Sequence, residues 1–435
     1  MALRQLKGLS GWGIVTTLSL SPLLIWGAMK PIGMRFENAA TILTSIGQIL
    51  GLVGMAMFAL TFVLSTRHPL LERLFNGMNR AYVAHHTFGA IAFSLLLFHP
   101  ILLALKYVLI ASTHNAALFL LSTDPNILWG TFALLSMMLF LVLTFFVSFA
   151  YDKWKITHQL LAASFLLASI HTLVIYSDTQ VSGLLYWYMA TYIAIGILAI
   201  LYRTVAPRLF VSYTEYIVDE VRHLDEKTVE IYMSPAYKPL TYKAGQFIFI
   251  SFQNEAVGKE FHPFSIASSS DEKQLVIAVR ALGDHTGKFK LLEKGMVAKI
   301  EGPFGTFSYD QTSGKDQLWI AGGIGITPFL GMAKSLHDPA YKVRLYYCTK
   351  ERAEAVFLDE LTQVAQRNAN FSVVPFCSNE QGFFSADVMQ AAGEDIFVKE
   401  IFICGPPAMM TNLRQQLLAK GANPAHIHTE EFAFR

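Results

Sequence analysis

Two regimes of hydrophobic patterning divide the chain near residue 208. Before it, apolar residues run in blocks of about twenty, separated by short polar turns. Six blocks, 11–29, 40–64, 82–110, 127–150, 156–177 and 183–203, predict helices long enough to cross the ~30 Å hydrocarbon layer, which takes about 20 apolar residues. After it the apolar runs are short. TEYIVDEV, TVEIYMS, QFIFISF, QLVIAVRA and VAKIEGPFG read as strands, with Pro235, Gly245 and Gly295 among the turn residues between them, and this spacing predicts a small antiparallel barrel. Beyond Ser313 strands alternate with helices. QLWIAGGIGITPFLGMAKSL reads as strand, glycine turn and helix, and KVRLYYCTK, FSVVPFCS and EIFICGPPAMM add further buried strands. That predicts an open α/β sheet, whose ligand crevice lies at the carboxyl ends of its strands. The expected domains are 1–208, 209–312 and 313–435.

Composition and charge sharpen this picture in three places. Of 435 residues 53% are hydrophobic and 15% charged, against roughly 25% charged in ordinary soluble domains, and the deficit lies in the first half. Net charge is +2 and no basic stripe is interleaved with aromatics, so nucleic acid is not an expected partner. The cysteines, Cys348, Cys377 and Cys404, fall in the second half without CxxC spacing, which supports neither a zinc site nor a disulfide framework. It also excludes thiolate ligation of a metal among the apolar helices.

Lys and Arg near the helix ends set an orientation. Under alternating topology Arg4, Lys7, Arg67, Arg73, Arg80, Lys153, Lys155, Arg203 and Arg208 fall on one side, and Lys30, Arg35 and Lys106 on the other. Nine against three puts the N-terminus and the second half in the cytoplasm by the positive-inside bias. A cleaved leader is the competing reading of the first block, but WGAMKP is a poor cleavage site and five remaining spans would spoil the charge asymmetry.

The third block carries His85 and His99 and the fifth carries His158 and His171, in steps of 14 and 13 residues. Histidine within a span is costly and marks a functional hypothesis. In this topology His85 and His158 lie near the cytoplasmic face and His99 and His171 near the outer face, about 20 Å away at 1.5 Å per residue. Two imidazoles facing each other at each depth suit six-coordinate b-type haem, with Phe88, Leu95, Phe98, Phe165 and Leu166 available to line the porphyrin. His86 rivals His85 as the inner ligand. A 14-residue step returns within ~40° of the same helix face, whereas a 13-residue step misses by ~140°, so the fifth helix is expected to be bulged or tilted, or its imidazoles to reach sideways.

His262-Pro263-Phe264-Ser265, then Arg280 with Gly283 and Thr286, then Gly322-Gly323-Ile-Gly325-Ile-Thr327-Pro328-Phe329, then Cys404-Gly405-Pro406-Pro407-Ala-Met409 stand in the order of the ferredoxin–NADP reductase superfamily. Joined to six spans with paired histidines, they resemble the ferric reductase and NADPH oxidase superfamily, most of all its prokaryotic NADPH oxidase homologues, over nearly the whole chain. The fold implied is a six-helix transmembrane haem-binding bundle followed by a ferredoxin–NADP reductase-like module, an antiparallel β-barrel FAD domain plus an α/β nucleotide-binding domain. No EF-hand loop accompanies it.

The resemblance implies roles residue by residue. Ser265 would stand beside the flavin ring and Phe264 wall it, while His262 replaces an arginine that binds the flavin pyrophosphate in the more soluble reductases. Gly283 and Thr286 would open a helix suited to that pyrophosphate. Gly322, Gly323 and Gly325 would let the backbone approach the nicotinamide cofactor's pyrophosphate, with the helix dipole after Thr327 and Pro328 adding to it. Cys404, with Gly405, Pro406 and Met409, would lie beside the nicotinamide, with no sign that it acts as a nucleophile. Lys350 and Arg352 favour NADPH, with NADH the alternative. In the ending Glu431-Phe432-Ala433-Phe434-Arg435, Phe432, or else Phe434, would stack on the flavin. The implied activity is a superoxide-producing NAD(P)H oxidase using FAD and two b-type haems, in a prokaryotic plasma membrane. A ferric chelate, or another membrane or periplasmic protein served by this one as electron donor, are the alternative acceptors to dioxygen. The outer loops offer a chelate only Glu37, His114, Asp124 and Asp178.

Overall fold

The computed structural model describes residues 2–149, 151–205, 207–283 and 285–430. Internal contacts divide the chain into two units, one holding Leu6–Val211 and the other Ser212–Arg435.

The first unit is helical. Six helices are long and apolar enough to cross a membrane: Ser10–Ala28, Ala39–Leu64, Met78–Ile110, Pro125–Phe146, Lys153–Val174 and Gly183–Val205. The second is the most deeply buried of them, and the side chains of the others that face lipid, such as Phe132, Phe145 and Leu198, are exposed and apolar. The first span bends at Ser21, where one helix ends and another begins with Pro22, a position that tolerates the missing N–H. Ser21 and Leu18 tie it to the sixth span: Tyr188 donates to Ser21 Oγ at 2.8 Å and Tyr192 donates to the Leu18 carbonyl at 2.7 Å. The fifth span is interrupted at Leu160, between helical stretches Tyr151–Gln159 and Leu161–Val174. There the Ala163 N–H reaches the Leu160 carbonyl at 2.9 Å, a tight three-residue turn. Leu160 itself keeps helical dihedrals, φ -64° and ψ -14°, so the interruption is confined to a single residue.

The second unit opens with six strands: β1 (Thr214–His223), β2 (Thr228–Pro235), β3 (Phe247–Phe252), β4 (His262–Ser265), β5 (Leu275–Arg280) and β6 (Val297–Phe304). They pair in the order β4-β3-β6-β1-β2-β5, antiparallel throughout. A bridge between Ile266 and Ile277 joins the two ends of the sheet, so it closes into a barrel around Val218, Ile231, Ile250, Ile277 and Ile300. Five parallel strands follow: β7 (Asp316–Gly322), β8 (Lys342–Thr349), β9 (Phe371–Cys377), β10 (Glu400–Cys404) and β11 (Ile427–Glu430), in the order β11-β10-β7-β8-β9. The neighbours β7 and β10 mark the point where the strand order reverses, which is where doubly wound sheets bind ligands. Trp319 and Phe329 of the sheet domain share a buried cluster with Ala267 and Val276 of the barrel.

Candidate functional site

The first unit brings the four histidines together in two pairs. His85 and His158 face each other with ring centroids 6.0 Å apart. His85 Nδ1 lies 2.9 Å from the Thr61 carbonyl of the second span, whereas His86 is exposed. An imidazole held through Nδ1–H presents the lone pair of Nε2. His158 lacks such a hold, its buried Nδ1 having no hydrogen-bond partner, and its ring stacks on Trp154 at 5.6 Å. At the other depth His99 Nδ1 lies 2.6 Å from the Gly47 carbonyl and His171 Nδ1 lies 2.7 Å from the Asn126 carbonyl. Both rings line a cavity of about 620 Å³ walled by Leu52, Met55, Phe58, Leu134 and Met137, a size within the usual range for bound cofactors.

These donors fit haem. Two nitrogen–metal bonds of ~2 Å each, with half a ring on either side, span about 6 Å, the separation of His85 and His158. The outer pair has an apolar wall and Nδ1 atoms already committed to carbonyls. Of the anticipated lining residues, Phe98 and Leu166 are 54% and 45% exposed. Phe165 is fully buried and packs on Phe58 and Phe62 at 5.3 and 5.1 Å.

Near the outer pair lies a buried ion network. Asp178 accepts from Lys30 and Arg35 at 2.9 Å each, and the Arg35 guanidinium lies 3.6 Å over the Trp26 ring. Burial works to raise the Asp178 carboxyl, but the two bonded cations hold it below the ordinary carboxylate range. Asp124 caps the fourth span through the Asn126 N–H at 2.8 Å.

In the second unit β4 carries His262, Pro263, Phe264 and Ser265, paired in register with Ile250, Phe249, Ile248 and Phe247. Ser265 is buried at the strand end, and Phe264 packs on Phe289 at 5.4 Å. The His262 ring stacks on His285 at 3.9 Å, 26° from parallel, with Glu260 3.6 Å from His285. Burial lowers the His285 pKa while Glu260 works against it. Glu260, His262 and His285 lie close enough for a metal site, but near-parallel stacked rings leave no point ~2 Å from both nitrogens in both ring planes. The helix expected after Gly283 is a short 3-10 turn, Thr286–Leu291. The Thr286 hydroxyl accepts from the Leu282 and Gly283 N–H groups at 3.0 and 3.2 Å, so those two donors are already used.

At the carboxyl end of the parallel sheet, the glycine loop after β7 packs on the loop after β10. A Cβ on Gly322 would stand 2.6 Å from Met409 sulfur and 2.8 Å from Pro406, and one on Gly325 would strike the Cys404 carbonyl and lie 2.7 Å from Gly405 Cα. Gly322 and Gly325 therefore allow close contact between the two loops. Gly323, at φ +54°, has only the Arg280 guanidinium near its missing side chain, at 3.9 Å. Arg280 in turn reaches Glu354 at 3.7 Å. Thr327 and Pro328 begin the helix Thr327–Lys334. Cys404 is 2% exposed, and burial, helped by Glu430, pushes its thiol pKa up. Lys350 and Arg352 are exposed in the turn after β8, which the Asn379 N–H joins to the end of β9 through the Lys350 carbonyl at 3.2 Å. Phe432 and Phe434 lie outside the described residues.

Three family models match in order: ferric reductase like transmembrane component at residues 50–169, FAD-binding domain at 214–308, and oxidoreductase NAD-binding domain at 319–415. Among curated relatives, sulfhydrogenase 2 subunit gamma of Pyrococcus furiosus is 27% identical over 43% of this chain and 71% of its own length. The ferredoxin reductase component of 3-ketosteroid-9-alpha-monooxygenase from Mycolicibacterium smegmatis is 29% identical over 44% of this chain. Of that second relative the chain spans little more than half the length, 56%. A flavohemoglobin from Malassezia yamatoensis, solved with FAD and haem, is alike in fold alone, with TM-score 0.52 and 18% identity over 91% of this chain and 98% of that one. Six spans followed by an FAD-binding barrel and an NAD-binding sheet, matched by those models in that order, are the architecture of the ferric reductase and NADPH oxidase superfamily, and this integral membrane chain belongs to it.

Proposed function

We propose that the chain is a transmembrane flavocytochrome that oxidises cytoplasmic NADPH and delivers single electrons to dioxygen on the outer side, giving superoxide. FAD and two b-type haems would supply the redox chemistry, converting a two-electron donor into single electrons and carrying them across the bilayer. The protein's part is to bind, orient and insulate. His85 and His158 would hold the inner haem and His99 and His171 the outer one, with Nδ1–carbonyl bonds fixing the tautomer of three of the four. His262, Pro263, Phe264, Ser265, Arg280, Gly283 and Thr286 would form the flavin face. Gly323, Thr327 and Pro328 would receive the nicotinamide cofactor at the switch point, with Cys404, Gly405, Pro406 and Met409 beside its ring. Lys350 and Arg352 would select the 2′-phosphate.

The observation that carries this reading is the convergence of two histidine pairs at two depths, one of them facing an apolar cavity of about 620 Å³. Burial keeps Cys404 a protonated thiol, in agreement with a positioning role. A ferric chelate as acceptor would need free acidic groups outside. Asp178 is bound to Lys30 and Arg35 and Asp124 caps a helix, which leaves the exposed Glu37 and His114. The test is NADPH-driven reduction of cytochrome c by the purified protein. Superoxide dismutase should abolish most of the rate. Dismutase-insensitive turnover of a ferric chelate at a higher rate would replace dioxygen by the chelate. Slow turnover of both, restored by a co-purifying protein, would make the chain a donor subunit.

A further inference from the structure

The two outer histidines are held by the same device on two different helices. In each case the ring Nδ1 meets a carbonyl of a neighbouring span, and the residue four positions on from that carbonyl is glycine. His99 meets the Gly47 carbonyl at 2.6 Å, with Gly51 four residues later. His171 meets the Asn126 carbonyl at 2.7 Å, with Gly130 four residues later.

Helix geometry explains the spacing. Side chains tilt toward the helix N-terminus, so the Cβ of residue i+4 covers the turn that holds carbonyl i. That carbonyl has a second lone pair beyond its helical bond, and a side chain at i+4 shields it from a third group. At Gly51 a Cβ would stand 2.9 Å from both Cε1 and Nδ1 of His99. At Gly130 it would stand 2.9 Å from the same two atoms of His171 and 3.0 Å from Cγ. Neither ring can retreat from such a contact without giving up its hydrogen bond. The inner pair lacks the device. His85 meets the Thr61 carbonyl at 2.9 Å, three residues from the end of Ala39–Leu64, where the Ser65 N–H shares that carbonyl at 3.2 Å and position 65 is serine, not glycine.

We propose that Gly51 and Gly130 are positioning residues for the outer haem, uncovering the carbonyls that fix the orientation of its two axial imidazoles; this rests on the bis-histidine reading above. The expected result has a spectroscopic readout. Gly51→Ala and Gly130→Ala should each shift the low-spin ferric paramagnetic signal of one haem, because its g values follow the relative orientation of the axial rings. Each should also weaken retention of that haem against a haem-scavenging apoprotein by about 10- to 100-fold, the usual cost of losing an outer-shell partner. The inner haem's unchanged signal then reports an intact bundle. Gly54→Ala, on the same helix as Gly51, is the comparison: its Cβ would stand 2.9 Å from Leu96 and 3.3 Å from Leu95 of the third span, neither a histidine, and both haem signals should be unaltered. Unchanged signals and retention in Gly51→Ala and Gly130→Ala overturn the proposal. So does an equal shift in Gly54→Ala, which would make general crowding the cause. Full haem content in both His99→Ala and His171→Ala would sink the bis-histidine reading itself, and the proposal with it.

Discussion

His99, His171 and Cys404 illustrate how differently single residues announce their surroundings. The histidines were legible because a polar, metal-competent ring inside an apolar run has no cheap structural explanation. His85 and His86 were not distinguished there, since adjacent positions differ only in the face they take; the structure sets them apart by the bond of His85 to the Thr61 carbonyl and the exposure of His86. Gly322 and Gly325 sit in a motif that suggests a phosphate, yet their missing side chains make room for Met409 and Cys404. Gly51 and Gly130 carry no sequence signal, because their partners lie on other helices. Cys404 gives a prediction at this scale. With its thiol buried and its pKa pushed up, iodoacetamide at neutral pH should leave it unmodified and NADPH-dependent flavin reduction intact. Mass spectrometry showing rapid alkylation at Cys404 would mean that the site is open and the thiol activated.

Among the elements, strand and helix periodicity survived well, because each predicted run had one face to bury. The barrel strands and the parallel sheet follow from short apolar runs and turn residues. Less legible were the breaks. No Pro or Gly marks Leu160, where the fifth span is interrupted; only the misfit of the 13-residue step pointed to it. The sequence likewise offers Asp178 as a loop carboxylate, in the short segment Asp178–Val181 between the fifth and sixth spans. Its aspartate instead fastens Lys30 and Arg35. Asp178→Ala would leave the Arg35 guanidinium, 4% exposed, without its carboxylate. Breaking a buried pair from one side costs about 3–5 kcal/mol, so the melting temperature in detergent at pH 7 should fall by on the order of 10 °C. The Asp178 pKa is lowered on folding, so this stability is present at neutral pH and is lost as pH drops through that lowered value. An unchanged melting temperature at pH 7 would mean that the network is solvated.

On the scale of the whole molecule, the asymmetry of Lys and Arg predicts the orientation on which the proposed direction of electron transfer rests. Two of the three cations on the less basic side, Lys30 and Arg35, share the Asp178 carboxylate. An introduced thiol tests the orientation. In sealed cells a membrane-impermeant maleimide should label His114→Cys, an exposed position in the short helix Thr113–Leu120 between the third and fourth spans. It should label Tyr237→Cys, at a position 87% exposed in the second unit, only after permeabilisation. The reverse pattern would invert the topology and the reading of the acceptor side with it. The account stands or falls, however, on the haems. The most direct measurement is the NADPH-reduced-minus-oxidised spectrum of the purified protein under anaerobic conditions, with the haem-to-protein ratio, for the native chain and for His99→Ala and His171→Ala. It should show two low-spin b-type haems per chain, both reduced by NADPH, and about half that absorbance in each variant with flavin reduction preserved. A native protein without haem, or variants with full haem content, would contradict the account.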